Sequence, residues 1–181
     1  LKEQIKLLHD LNKNMAQEAK NLTRALKGDS KKQGNWGEIV LERILEESGL
    51  IKDQEYKLEY ATENQEGSRI RPDAVILLPD SKHIIVDSKV SLVAYEQLVN
   101  SDNEDLKLTL IKNHIDSVKG HIKQLSEKSY QTSIDLNTPD FVLLFMPIEA
   151  AFSVALQADP EIYSFAWDKK IVIVSPSTLL A

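Results

Sequence analysis

Apolar residues repeat along the chain at two spacings, one typical of helices and one typical of buried strands. From Leu1 to Leu26 they alternate intervals of four and three residues, which predicts a heptad helix. Asn12 occupies one position of this seam, where a single asparagine commonly fixes the register of a two-stranded coil. We therefore expect a coiled-coil helix over residues 1–28 and a homo-oligomer formed through it. An amphipathic helix packed on its own domain is the alternative.

The heptad pattern stops at residues 27–34, KGDSKKQG, whose two glycines predict a linker. A helix is expected to start at Asn35 and to end at Gly49, with an apolar arc that includes Trp36 and Leu41. We assign residues 29–181 to one globular domain, which we expect to be truncated at its C-terminus because the chain stops within TLLA.

The rest of the chain alternates strand and helix patterns. Strands are predicted over residues 55–60, 70–78, 83–89, 138–147 and 170–176, and helices over residues 91–100, 104–129, 148–157 and 160–168. The first three strands read as a meander. This order predicts an α/β fold with a central mixed sheet flanked by helices and preceded by the coiled-coil helix.

Composition narrows the possible functions. The chain has no cysteine, which excludes disulfides and thiolate metal sites and fits a reducing, cytoplasmic location. No apolar run is long enough to cross a bilayer, so we expect no membrane contact within this fragment, although a parent protein with an N-terminal anchor remains compatible. The net charge of −6 argues against binding nucleic acid through bulk charge.

Residues 71–90, RPDAVILLPDSKHIIVDSKV, combine apolar strands with charged ends. Asp87 and Lys89 are two residues apart on a strand, so they project to the same face. A loop of four residues would place Asp73 opposite Ser88, on the other face, whereas a loop of three or five, or a bulge, would place it opposite Asp87 or Lys89. If these residues form one site, we predict the second register.

Carboxylates gathered in this way require a compensating charge. Two of them about 4 Å apart repel by roughly 4 kcal/mol at an effective dielectric constant near 20. Lys89 offsets part of this repulsion, and Mg²⁺ or Mn²⁺, which prefer oxygen ligands, would offset more. The alternative interpretation is a turn residue at Asp73 and an exposed ion pair between Asp87 and Lys89, worth about 1 kcal/mol at most.

The pairing of Pro72–Asp73 with Asp87–Ser88–Lys89, behind a helix that carries Glu38, resembles the PD-(D/E)XK nuclease superfamily. More specifically, the chain resembles the RmuC family of DNA recombination proteins. The matching segments are GNWGE (34–38), RPDAVILLP (71–79), VDSKVSLVAY (86–95), FMPIEAAF (145–152) and VSPSTLLA (174–181). The resemblance implies a restriction-endonuclease-like core and a metal-dependent DNA nuclease acting in recombination or in the control of genome rearrangement.

The same resemblance implies that Asp73, Asp87 and Glu38 hold Mg²⁺ or Mn²⁺ and that Lys89 is the catalytic lysine. For Glu38 a capping box with Asn35 is an equal alternative. DNA is the expected partner. Arg69 and Arg71 flank the hairpin entrance, and one flank of the long helix carries Lys119 and Lys123; these four residues are the candidate phosphate contacts, although the helix flank also fits a merely solvated surface.

A second function remains open from the sequence, a non-catalytic DNA-binding or scaffolding protein that retains a nuclease fold. A third is a metal-dependent hydrolase of another phosphate ester.

Overall fold

Helices and strands alternate along the computed structural model, which describes residues 30–88, 93–133 and 135–180. The helices within these ranges are α1 (Ser30–Glu47), α2 (Val93–Val99), α3 (Glu104–Glu127), α4 (Glu149–Ala158), α5 (Ile162–Asp168) and α6 (Pro176–Leu179). The strands are β1 (Tyr56–Leu58), β2 (Thr62–Glu63), β3 (Arg69–Ile70), β4 (Ala74–Leu78), β5 (Lys82–Asp87), β6 (Val142–Phe145) and β7 (Ile171–Val174). The predicted coiled coil over residues 1–28 lies outside the described residues.

Five of the strands form one mixed sheet in the order β1-β4-β5-β6-β7. The first three run antiparallel as the predicted meander, and β6 and β7 extend the sheet in parallel. α2 and α3 provide the long crossover that a parallel connection from β5 to β6 requires. The short strands β2 and β3 pair separately. The predicted α/β class with a central mixed sheet is therefore confirmed.

Both faces of the sheet are covered by helices, and this explains the continuous apolar run of β4. Ala74 and Val86 face the core built by α1, whereas Val75 and Ile85 face the core built by α3, α4 and α5. Because successive strand residues alternate between faces, a sheet buried on both sides needs apolar residues at every position. Across the described ranges, none of the helices combines the length and apolar character needed to cross a bilayer.

The start of α1 differs from the prediction. The helix already includes Ser30, so residues 30–34 are helical and the linker predicted there is wrong. Asn35 lies exposed inside the helix, and the predicted capping box between Asn35 and Glu38 is therefore wrong as well. The physical reason is that lysine and glutamine favour helices, while a single glycine costs only about 1 kcal/mol and does not by itself stop one.

The strand predicted over residues 70–78 is divided in two. Ile70 belongs to β3 and pairs with Thr62, and β4 begins only at Ala74. Pro72 lies between them, and a proline has no N–H to donate to a strand ladder. The short β2–β3 hairpin is thus an insertion between β1 and β4 that the periodicity did not reveal.

The end of α1 is the one predicted. Gly49 has a positive φ of 89°, and its N–H donates to the carbonyl of Glu46 at 3.0 Å. The N–H of Leu50 donates to the carbonyl of Leu45 at 3.3 Å. These two bonds form the Schellman motif that terminates helices at glycine.

A second glycine of α1 sets the distance between this helix and the end of β5. A Cβ built on Gly37 would lie 2.8 Å from the Oγ of Ser88 and 3.7 Å from Pro147. Ser88 is 3% exposed, so its side chain has little room to move. The glycine therefore permits α1 to approach the segment that follows Asp87, and it brings the GNWGE segment beside the aspartate–serine pair.

We predict that Gly37→Ala lowers the free energy of unfolding by about 1–3 kcal/mol, because the added methyl overpacks a buried contact. Urea denaturation measures this loss. The double variant Gly37→Ala/Ser88→Ala should recover most of it, since the Ser88 hydroxyl has no hydrogen-bond partner within the described ranges. Gly34→Ala, in open space on the same helix, is the control and should not destabilise. If the double variant is as unstable as Gly37→Ala alone, the proposed contact between position 37 and Ser88 is contradicted.

Candidate functional site at the end of the β4–β5 hairpin

The register of the hairpin places Asp73 opposite Asp87. Ala74 pairs with Val86 and Leu78 pairs with Lys82, so the next pair outward is that of the two aspartates. The connection is the three-residue turn Pro79–Ser81, in which Asp80 and Ser81 have φ values of 60° and 54°. This is one of the two loop lengths that were compatible with a shared face, and the predicted register is confirmed.

Asp87 is completely buried, and only one of its two carboxylate oxygens has hydrogen-bond partners among the described residues. Its Oδ2 accepts a hydrogen bond from the Lys128 ammonium at 2.5 Å and another from the Tyr130 hydroxyl at 2.9 Å. Its Oδ1 has no hydrogen-bond partner among the described residues. A buried carboxylate oxygen without a donor is costly in a folded protein, so this atom is a candidate position for a ligand.

The lysine and the tyrosine come from the turn that follows α3. Ser129 lies between them in the left-handed region, with φ of 50°, and this turn lets two near neighbours in sequence reach the same oxygen atom. The Lys128 ammonium also donates to the Tyr130 hydroxyl at 2.9 Å. Burial and the adjacent Asp87 raise the pKa of Tyr130 well above its usual value, so the hydroxyl remains a donor.

Sequence reasoning missed the role of both residues. Lys128 was recognisable only as a basic residue on a flank of the long helix, and Tyr130 carried no signal. They lie 41 and 43 residues from Asp87, and no spacing rule connects a helix end to a strand end at that separation.

Asp73 lies half-buried beside Asp87. Burial and then repulsion from Asp87 raise its pKa from 3.8 to about 7, with a smaller contribution from Glu38. The backbone N–H of Ser88 donates to Asp73 Oδ2 at 2.6 Å and opposes this shift. The carboxyl of Asp73 is thus held in place while its negative charge is disfavoured.

Glu38 enters the site from α1. It lines an open cleft of about 580 Å³ together with Asp73. The other residues that line the cleft are Asn35, Ile39, Leu41, Glu42, Lys52, Leu58 and Glu59. Glu38 is close enough for its charge to raise the pKa of Asp73. The structure therefore places Glu38 near Asp73 and Asp73 beside Asp87, whereas the fully buried Asp87 is not among the residues that line this cleft.

Lys89, the fourth residue predicted to form the site, lies outside the described residues, and its catalytic role stays a prediction. The strand that would carry it, β5, ends at Asp87.

These carboxylates fit a divalent cation that takes only part of its coordination from the protein. Within the described ranges, no group of three or more histidine, cysteine, aspartate or glutamate side chains is arranged to hold a metal ion by itself. Mg²⁺ is usually held by one or two carboxylates and completes its octahedron with water and substrate phosphate. Asp73 and the unpartnered Oδ1 of Asp87 match that requirement.

The predicted DNA contacts are spread over the surface. Arg71 is exposed and pairs with Glu59 at 3.0 Å, and Lys119 pairs with Asp159 at 2.6 Å. Arg69 and Lys123 are exposed. Nothing in their positions tests their role as phosphate contacts, which stays a prediction.

His114 of α3 is not available for such a contact. It is fully buried, and its Nε2 lies 2.8 Å from the carbonyl oxygen of Ala151.

Glu149 has a structural role in the MPIE segment. It begins α4 and accepts hydrogen bonds from the Ser175 hydroxyl at 2.8 Å and from the Ser177 N–H at 3.2 Å. This ties the start of α4 to the start of α6.

Fold and site together define a mixed α/β domain that presents paired aspartates, compensated by a lysine, at the end of an antiparallel hairpin. The chain belongs to the RmuC family, whose model it matches over residues 1–181. This confirms the resemblance that the quoted segments indicated.

Several curated relatives are similar along the whole chain. It is 51% identical over 181 residues to the DNA recombination protein RmuC homolog of Pseudomonas aeruginosa, covering 100% of this chain and 40% of the relative. It is 47% identical over 180 residues to the DNA recombination protein RmuC of Escherichia coli K12, covering 99% and 38%. It is 43% identical over 180 residues to the homolog of Vibrio cholerae, covering 99% and 35%.

The chain thus spans about two fifths of the length of the curated relatives it matches. No solved structure matches it significantly.

We predict that Asp73→Asn stabilises the protein at pH 8 by about 2–4 kcal/mol, because each unit of a raised pKa corresponds to about 1.4 kcal/mol. A carboxyl whose folded pKa is raised from 3.8 to about 7 destabilises the fold above pH 7, and this penalty disappears as the pH falls towards 4. The advantage of the variant should therefore shrink over that range. Urea denaturation at several pH values measures it.

The asparagine oxygen can still accept from the Ser88 N–H, so Asp73→Ala, which cannot, is the matched comparison and should gain less. A difference between Asp73→Asn and wild type that does not change with pH would contradict the assignment of the raised pKa to Asp73.

Proposed function

We propose that this domain is a metal-dependent DNA nuclease that acts in DNA recombination or in the control of genome rearrangement. One observation carries the proposal: Asp73 and Asp87 lie opposite each other at a strand end, and the buried Oδ1 of Asp87 has no partner within the described ranges. Relatives named DNA recombination protein RmuC support the biological setting. Phosphodiester hydrolysis in a PD-(D/E)XK-like site uses this residue set.

Asp73 and Asp87 would hold Mg²⁺ or Mn²⁺, with Glu38 across the cleft as a further acid. When bound, such an ion activates water and neutralises charge on the phosphate. The Ser88 N–H orients Asp73, and Lys128 and Tyr130 orient Asp87. In this proposal Lys89, two residues after Asp87 in the sequence, is the catalytic lysine.

We propose that DNA is contacted by a few basic side chains near the site, because the net charge of −6 disfavours binding through the overall charge of the protein. Arg69 and Arg71 precede Asp73 closely in sequence and are the first candidates for phosphate contact. Lys119 and Lys123 on α3 are the second. We further propose a homo-oligomer formed through residues 1–28 and a cytoplasmic location.

A second candidate function is a non-catalytic DNA-binding or scaffolding domain. The ion pair between Lys128 and Asp87 favours it, since this pair compensates the buried carboxylate without any metal. In that case the aspartates would be structural remnants of a site, and DNA binding would not depend on divalent cations.

We predict that Asp87→Asn abolishes Mn²⁺-dependent cleavage of DNA by the full-length gene product, lowering the rate at least about 100-fold because a metal ligand is lost. The assay uses single-stranded, duplex and branched DNA with Mg²⁺, Mn²⁺ or chelator. Asp80→Asn, at the opposite end of the same hairpin, is the matched control and should cleave at the wild-type rate.

If wild type cuts none of these substrates, while fluorescence anisotropy shows DNA binding that neither chelator nor Asp87→Asn alters, the nuclease proposal fails and the scaffolding function is favoured. Circular dichroism checks that both variants fold.

A further inference from the structure

Among the described residues, Lys128 is the cation that contacts Asp87. Its ammonium contacts Asp87 Oδ2 at 2.5 Å and the Tyr130 hydroxyl at 2.9 Å. Asp87 is fully buried, but the Lys128 side chain keeps 26% of its surface exposed. The lysine therefore reaches a buried anion from the solvent side and is the more exposed member of the pair.

Tyr130 can hold the aspartate without the lysine. Its hydroxyl donates to Asp87 Oδ2 at 2.9 Å and also lies 3.2 Å from the carbonyl oxygen of Arg71, so it is anchored on two elements. The ring is 1% exposed and cannot leave without opening the core. The two contacts of Oδ2 thus differ in kind, because one comes from a buried neutral hydroxyl and the other from a partly exposed ammonium.

A divalent cation at Oδ1 of Asp87 would lie on the same carboxylate as the Lys128 ammonium. Two positive centres so close in a poorly solvated position repel each other strongly. Conversely, the repulsion between Asp73 and Asp87 is relieved by either cation. Lysine and metal therefore perform the same electrostatic task and oppose each other when both are present.

We propose that Lys128 is an exchangeable counter-ion of this site: it neutralises Asp87 when no metal is bound and gives way to a divalent cation, while Tyr130 keeps the carboxylate in position. This inference rests on the proposed function and adds how the metal site is regulated. It explains how two opposed aspartates remain compatible with a stable fold before an ion arrives.

The test is Mn²⁺ titration of the full-length protein by isothermal titration calorimetry, with Lys128→Met as the variant. Methionine retains the apolar length of the side chain and removes its charge. We expect Mn²⁺ to bind at least about 10-fold more tightly to Lys128→Met than to wild type, since the competing charge is gone. In chelator the variant should melt at a lower temperature than wild type, and Mn²⁺ should raise its melting temperature more.

Three further variants separate charge competition from loss of structure. Lys128→Arg keeps the charge and should bind Mn²⁺ no more tightly than wild type. Tyr130→Phe removes a donor but no charge and should also show no gain in affinity. Lys112→Met, an exposed lysine of α3, controls for net charge. If Lys128→Met does not fold in chelator, Lys128→Gln takes its place with the same expectation.

Equal or weaker Mn²⁺ binding by the charge-removing variants would overturn the inference, as would no binding by any protein or an equal gain in Lys112→Met. These outcomes do not depend on DNA cleavage. Tighter Mn²⁺ binding without cleavage by wild type would support the counter-ion role and refute the nuclease function alone.

Discussion

The opposition of Asp73 and Asp87 across the β4–β5 ladder is the constraint on which the site depends. The pairing of Ala74 with Val86 determines it, and a slip of one residue would turn every side chain of one strand to the other face. The apolar residues of both strands hold this register, because each face of the sheet has its own core to fill. The hydrophobic interior thus brings two like charges together that would separate in solution.

The two aspartates differ in how far neighbouring groups compensate their negative charges. Asp87 receives a lysine and a tyrosine on one oxygen, whereas Asp73 receives a single backbone N–H and has its pKa raised to about 7. Buried carboxyl groups with a pKa shifted in this way are more typical of functional sites than of structural ion pairs. The third acid, Glu38, comes from α1 and lines a cleft with Asp73, and Gly37 lets that helix approach the end of β5 closely.

Several parts of this arrangement followed from local patterns in the sequence. The meander, the two later parallel strands and the glycine end of α1 were predictable, because periodicity and helix-ending residues act over a few neighbours. The start of α1 was not, since a glycine within KKQGN is a weak stop signal that packing of the helix overrides. The split between β3 and β4 depended on Pro72, whose effect on strand pairing the apolar run concealed.

The sequence by itself determined the α/β class, the family and the two aspartates that meet at the hairpin end, because strand alternation and short motifs are properties of neighbouring residues. Tertiary structure alone decided which register the three-residue turn selects and which cation compensates Asp87. Lys128 and Tyr130 meet Asp87 only because α3 crosses the sheet and ends in a left-handed turn at Ser129. The packing of the whole domain sets these contacts between a helix end and a distant strand end. Such packing produces no local pattern in the sequence.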